Sequence, residues 1–120
     1  ICNRLACRVV SRQQRVKRKR RQERRARLFE KNFHSEERVL FIKSLPCEVT
    51  GQLSDTVVNA HMKSRGAGGT YKDIVPLSWD VHHDFDEMPE AKWEAIYRQT
   101  KQSVRDRAAV YQQLWEDHKA

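Results

Sequence analysis

Two imidazoles and a carboxylate, His61, Asp73 and His82, stand 12 and 9 residues apart in this chain. A histidine at a strand end can take a proton from water as a general base. A histidine on a facing helix can hold a divalent cation, which stabilises charge growing on a phosphate and on its leaving oxygen. A polar residue one strand before that helix, here Asp73, can turn the first imidazole so that its other nitrogen meets the water, or assist the metal. Taken singly, each of these side chains is ordinary, since lone histidines at strand ends or on helices are more often structural or solvated. Their joint order is what points to metal-assisted hydrolysis of a phosphodiester.

That chemistry needs a hairpin followed by a helix, and the sequence supplies the signals. Residues 56–60, TVVNA, are β-branched and short, which predicts a strand with His61 at its end. Residues 63–70, KSRGAGGT, hold three of the four glycines and predict a flexible loop through which a phosphate backbone can approach. Residues 74–77, IVPL, predict a second strand, with Pro76 confining it to an edge or a strand end. Ser78 is placed to cap a short helix running through Trp79, His82, His83 and Phe85.

This stretch, Ala60-His61-Met62, then Gly66-Ala67-Gly68-Gly69, then Asp73-Ile74-Val75-Pro76-Leu77, then His82-His83, resembles the HNH (ββα-metal) endonuclease family, in particular its small phage-type branch. The resemblance covers about residues 45–88. It implies an α+β fold with a small ββα-metal core and metal-dependent cleavage of DNA. It further implies His61 as the general base, Asp73 in the place of the family's middle Asn, and His82 as metal ligand, with His83 and Asp86 available to help. The implied cofactor is a divalent ion, Mg²⁺ first, with Mn²⁺ or Zn²⁺ as alternatives. Two departures stand out. Many relatives carry a zinc ribbon of two cysteine pairs, whereas Cys47 here faces Thr50, Ser78 and Val81 at the other three positions, so no structural zinc is expected. Ala60 also stands where relatives often have a metal-binding Asp or His. These departures keep open a second reading, a non-catalytic DNA- or RNA-binding protein on a degenerate scaffold, within a larger assembly.

Charge divides the chain. Residues 4–31 contain 13 Lys or Arg against Glu23 and Glu30, a net of +11, while the remainder nets −3. The overall +8 therefore comes from one segment, as in a polyanion-binding arm on a nearly neutral body. Residues 8–31 lack Gly and Pro and are rich in helix formers, yet carry no apolar stripe, which predicts an exposed helix. Arg12, Arg15, Lys17, Arg18, Lys19, Arg20, Arg21, Arg24, Arg25 and Arg27 are its candidate phosphate contacts, with Lys63 and Arg65 in the loop. The expected division is a basic arm, 1–34, and a core, 35–120.

Ser35 predicts an N-cap for a short helix over Val39, Leu40, Phe41 and Ile42, with Glu36 and Glu37 in its first turn. Leu28, Phe29 and Phe33 are expected to tie the arm to it. Pro89 opens about 27 residues of helical periodicity, through Trp93, Ile96, Tyr97, Val104, Ala108, Tyr111 and Trp115, which predicts one long amphipathic helix that packs on the body or a second copy. Three cysteines without a CxxC pair fit a reducing compartment. No apolar run approaches the roughly 20 residues needed to span a bilayer, so no membrane partner is expected. The expected setting is the cytoplasm of a bacterial or phage-infected cell, with DNA as partner, RNA as the alternative, and a homodimer or nucleoprotein complex as the wider assembly.

Overall fold

The computed structural model describes residues 11–120, apart from the side chain of Arg65. Residues 1–10, with Cys2, Cys7 and the first part of the expected arm, lie outside the described residues. The fold is α+β and mostly helical, with one two-stranded antiparallel sheet.

The first helix, α1 (Arg12–Phe33), starts on a capping box: the Ser11 hydroxyl accepts from Gln14 N–H at 3.1 Å and the Gln14 amide oxygen accepts from Ser11 N–H at 3.1 Å. Every residue from Arg12 to Lys31 is exposed. At the far end His34 takes a positive φ of 70° with ψ −59°, the centre of a γ-turn closed by Ser35 N–H on Phe33 O, and its own N–H closes on Glu30 O at 2.8 Å. One residue on, the Ser35 hydroxyl caps α2 (Glu36–Lys43) by accepting from Arg38 N–H at 3.2 Å. Ile42 and Arg38 on α2 are fully buried.

Strands β1 (Val57–His61) and β2 (Ile74–Ser78) pair with Val57 opposite Ser78 and His61 opposite Ile74, so His61 is the last residue of its strand. In the connection, a Cβ on Gly69 would stand 2.1 Å from Lys63 O, so only glycine lets the loop fold back on itself there. Helix α3 (Trp79–Glu87) packs on both strands, burying Val81 and Phe85. Ser78 occupies its N-cap position, but the hydroxyl makes no capping bond, contrary to expectation.

The long final helix is three helices: α4 (Glu90–Tyr97), α5 (Lys101–Asp106) and α6 (Ala108–Lys119). Arg98 turns left-handed, φ 58°, and Thr100 starts a new helix by accepting from Ser103 N–H at 3.0 Å. The bends fold the periodic face around the sheet instead of along a straight line. Trp93 and Val104 become fully buried, with Tyr111 and Trp115 nearly so. Because β2 meets α3 and also α6, four consecutive residues, Ile74 to Leu77, are buried. Buried Lys101 donates to Met88 O and lies 5.3 Å from the Phe85 ring centre, which keeps its charge satisfied inside the junction of α3, α4 and α5.

The radius of gyration is 19.7 Å, against about 13.5 Å for a compact domain of this length. A 22-residue helix is about 33 Å long, and α1 accounts for the excess. Among the described residues no helix is long and apolar enough to cross a membrane.

Candidate functional site

His61 sits where β1 ends and α1 ends. Its Nε2 lies 2.7 Å from the main-chain carbonyl of Asn32, and the Phe33 ring packs edge-on against the imidazole at 5.1 Å between centres. A carbonyl only accepts, so Nε2 carries the proton. In the neutral ring the basic nitrogen is then Nδ1. Asn32 is buried, so water does not readily replace this bond.

Asp73 is placed otherwise than expected. Its carboxylate accepts from Thr70 N–H at 2.8 Å, closing a second capping box over the 3₁₀ turn Tyr71–Asp73, and its main-chain oxygen accepts from Met62 N–H at 2.8 Å. The physical reason is local: a carboxylate three residues after Thr70 finds that N–H within one turn. Asp73 thus shapes the loop that returns from His61, and the Asn32 carbonyl orients the ring.

On α3 the core side is taken by Val81 and Phe85. His82 and Asp86, one turn apart, meet on the outer side with Nε2 and Oδ2 3.3 Å from each other. Both are partly open to solvent. This pair presents one nitrogen and one oxygen donor to the same point in space. His83 instead stacks in parallel on the exposed Trp79, 5.4 Å between centres. Among the described residues no group of three or more His, Cys, Asp or Glu converges in the manner of a complete metal cage.

The turn around Cys47 corresponds to the ribbon of the resemblance. Gly51, at φ 70°, donates to Cys47 O at 2.7 Å, and Cys47 N–H donates to Gln52 O at 3.0 Å. Burial pushes the Cys47 thiol up, but hydrogen bonds from the Thr50 hydroxyl and from the Thr50, Ser78 and Val49 backbones outweigh it and bring the thiol below its ordinary value.

The basic side chains of α1 are all exposed, and among the described residues none forms an ion pair. At about 100° per residue, Lys17, Arg20, Arg24, Arg27 and Lys31 share a sector about 80° wide. That stripe runs into a concavity of about 420 Å³ lined by Arg27, Glu30, Lys31, His34 and Tyr71. The His34 ring lies 4.9 Å from that of Tyr71, and the buried Arg38 guanidinium lies 5.3 Å from the Tyr71 centre while donating to Gln112 at 3.0 Å. Burial lowers the Arg38 pKa, with Tyr71 and Glu116 opposing the shift. The other basic candidates, Arg12, Arg15, Arg18, Lys19, Arg21 and Arg25, occupy the remaining faces of the helix. Lys63 is exposed in the loop, and the Arg65 side chain lies outside the described residues.

Lys31, His34, Tyr71 and the Asn32 carbonyl were not among the sequence candidates. Lys31 was legible as a continuation of the stripe. A main-chain carbonyl carries no residue-type signal, and the other two depend on how the end of α1 meets the loop. A search for relatives finds no family model, curated protein or solved structure that matches the chain.

Proposed function

We infer that the protein is a metal-dependent endonuclease of the HNH type, hydrolysing DNA phosphodiester bonds. The observation that carries this reading is His61: it ends β1, is held through Nε2 by the Asn32 carbonyl, and lies at the foot of a helix covered in uncommitted basic side chains. The order β1, β2, α3 with His82 on the helix supports this reading.

In this reading Nδ1 of His61 takes the proton from the attacking water, since Nε2 already carries one. The Lys17 to Lys31 stripe holds the phosphate backbone, and the Asp73 capping box keeps the loop after His61 closed. His82 and Asp86 would hold the divalent ion. An imidazole nitrogen beside a carboxylate oxygen suits Mn²⁺ or Zn²⁺, and the carboxylate with water suits Mg²⁺. When bound, the ion supplies stabilisation of negative charge on the phosphate and its leaving oxygen.

A second reading, nucleic-acid binding without cleavage, is favoured by Ala60 and by the two-donor pair on α3, to which no third donor converges among the described residues. Supercoiled plasmid separates the two. Incubation with Mg²⁺ or Mn²⁺ is expected to give nicked circles, and EDTA is expected to prevent them. Tight binding without nicking under any divalent ion would establish the second reading, and nicking in EDTA would contradict the metal.

A further inference from the structure

The last turn of an α-helix leaves four carbonyls without helical partners. In α1 Glu30 O accepts from His34 N–H at 2.8 Å and Phe33 O from Ser35 N–H at 2.9 Å. The Asn32 carbonyl is satisfied from outside the helix, by His61 Nε2 at 2.7 Å. A buried carbonyl left unpaired costs about 1–3 kcal/mol, so the helix end and the imidazole hold each other. The arm meets the body at this end: its residues up to Lys31 are exposed, and its main packing partners are α2 and the Tyr71–Asp73 turn.

We propose that α1 is a positioning element for His61 as well as a phosphate-binding arm, with the Asn32 main-chain carbonyl fixing the imidazole as its Nε2–H tautomer. The proposal rests on the reading of His61 as general base. It assigns the orienting role to the arm, so that the element proposed to grip the phosphate backbone also sets which ring nitrogen is the basic one. Two features keep the carbonyl in place. The Phe33 ring packs on the imidazole edge, and the γ-turn at His34, with its positive φ, stops the helix at the right residue. The conformation of residue 34 is the sensitive point. Glycine adopts a φ of 70° freely, whereas a β-branched residue there is strongly disfavoured. His34→Gly and His34→Val both remove the stacking on Tyr71, so the difference between them isolates the turn that places the carbonyl.

The test uses the full chain with ¹⁵N-labelled histidine. Long-range ¹H–¹⁵N correlation at pH 8 reads the tautomer of each ring, and His61→Gln identifies the His61 signals. The expected result is a single Nε2–H tautomer for His61 in the wild type and in His34→Gly, and a mixture of tautomers in His34→Val. In single-turnover cleavage of a short duplex at saturating protein, His34→Val is expected to run at least ten-fold slower than His34→Gly, with equal salt dependence of binding. A wild-type Nδ1–H tautomer overturns the proposal, as does a His34→Val protein whose spectrum and rate match the wild type. The tautomer is read without cleavage, so a protein that cuts nothing removes the nuclease reading and leaves this bond to be decided by the spectrum. Should His34→Val not fold, Phe33→Ala withdraws the ring from the imidazole edge and is expected to mix the tautomers. An unmixed spectrum there overturns the proposal.

Discussion

In α1 every side chain from Arg12 to Lys31 faces solvent, whereas in the body Ile42, Leu77 and Trp93 have no exposure at all. The arm is helical because its residues are good helix formers and its first turn is capped; nothing on it is buried until Asn32. The body is ordered because α2, β1, β2 and the helices that follow them bury one another's apolar faces. Stability and the proposed nucleic-acid affinity therefore reside in different parts of the chain, and substitutions should separate them. They meet at the C-terminal end of α1, where the Asn32–His61 bond joins arm to body.

The largest expected effect lies in the body. Trp93 is fully buried between Phe85, 5.1 Å away edge-on, and Tyr97, 4.1 Å away. Trp93→Ala should destabilise by about 3–5 kcal/mol in urea unfolding. A destabilisation below about 1 kcal/mol would mean the core is organised differently.

Next comes the stripe. Replacing Lys17, Arg20, Arg24, Arg27 and Lys31 by Gln should leave the urea midpoint nearly unchanged while weakening duplex binding. Each phosphate no longer neutralised should reduce the log–log salt slope by about 0.9, so five such phosphates account for nearly three orders of magnitude in affinity between 50 and 200 mM salt. Two unrelated duplexes should respond alike, because phosphate-directed side chains position the protein without reading bases. An unchanged slope would assign the stripe to another partner.

Alkaline pH gives a smaller effect on the body alone. Burial and a hydrogen bond to Asp84 push the Tyr97 hydroxyl up from 10 to about 12, and burial with Glu48 pushes Tyr111 up as well. A folded value above the unfolded one means this stability is fully present below pH 10 and is lost as pH rises towards 12. Melting temperatures of wild type and Tyr97→Phe should converge over that interval. A constant gap would show that the hydroxyl is not held by Asp84.

The smallest effect belongs to the arm's own first turn. Ser11→Ala removes the capping box and should cost about 1 kcal/mol of helix stability, seen as lower far-UV helicity. The thermal midpoint of the body should not move. A shift in that midpoint would show that arm and body fold as one unit.

Much of this architecture was legible because local rules and burial agree. Ser35 with Glu36 and Glu37 marked α2, and Thr56 to His61 with Ile74 to Leu77 marked the hairpin. The C-terminal segment misled because periodicity near 3.6 persists through Trp93, Val104, Ala108 and Tyr111 although the chain bends twice. Arg98 has no residue-type preference for the left-handed conformation that ends α4, and the Thr100 cap was the one local sign of a new start. Of the candidate site, His82 and Asp86 at one-turn spacing were readable as a pair. The bond holding His61 was not, because it is made by a main-chain oxygen 29 residues away whose placement depends on a positive φ at His34.

The proposed cleavage turns on His61 performing the chemical step. Comparing wild type and His61→Ala on supercoiled plasmid with Mn²⁺, alongside duplex affinity at the same salt, tests it most directly. Nicking should be abolished in His61→Ala while affinity stays within a few-fold, because the side chains proposed to bind phosphate lie along α1. Nicking at the wild-type rate by the His61→Ala protein would remove His61 from the chemical step.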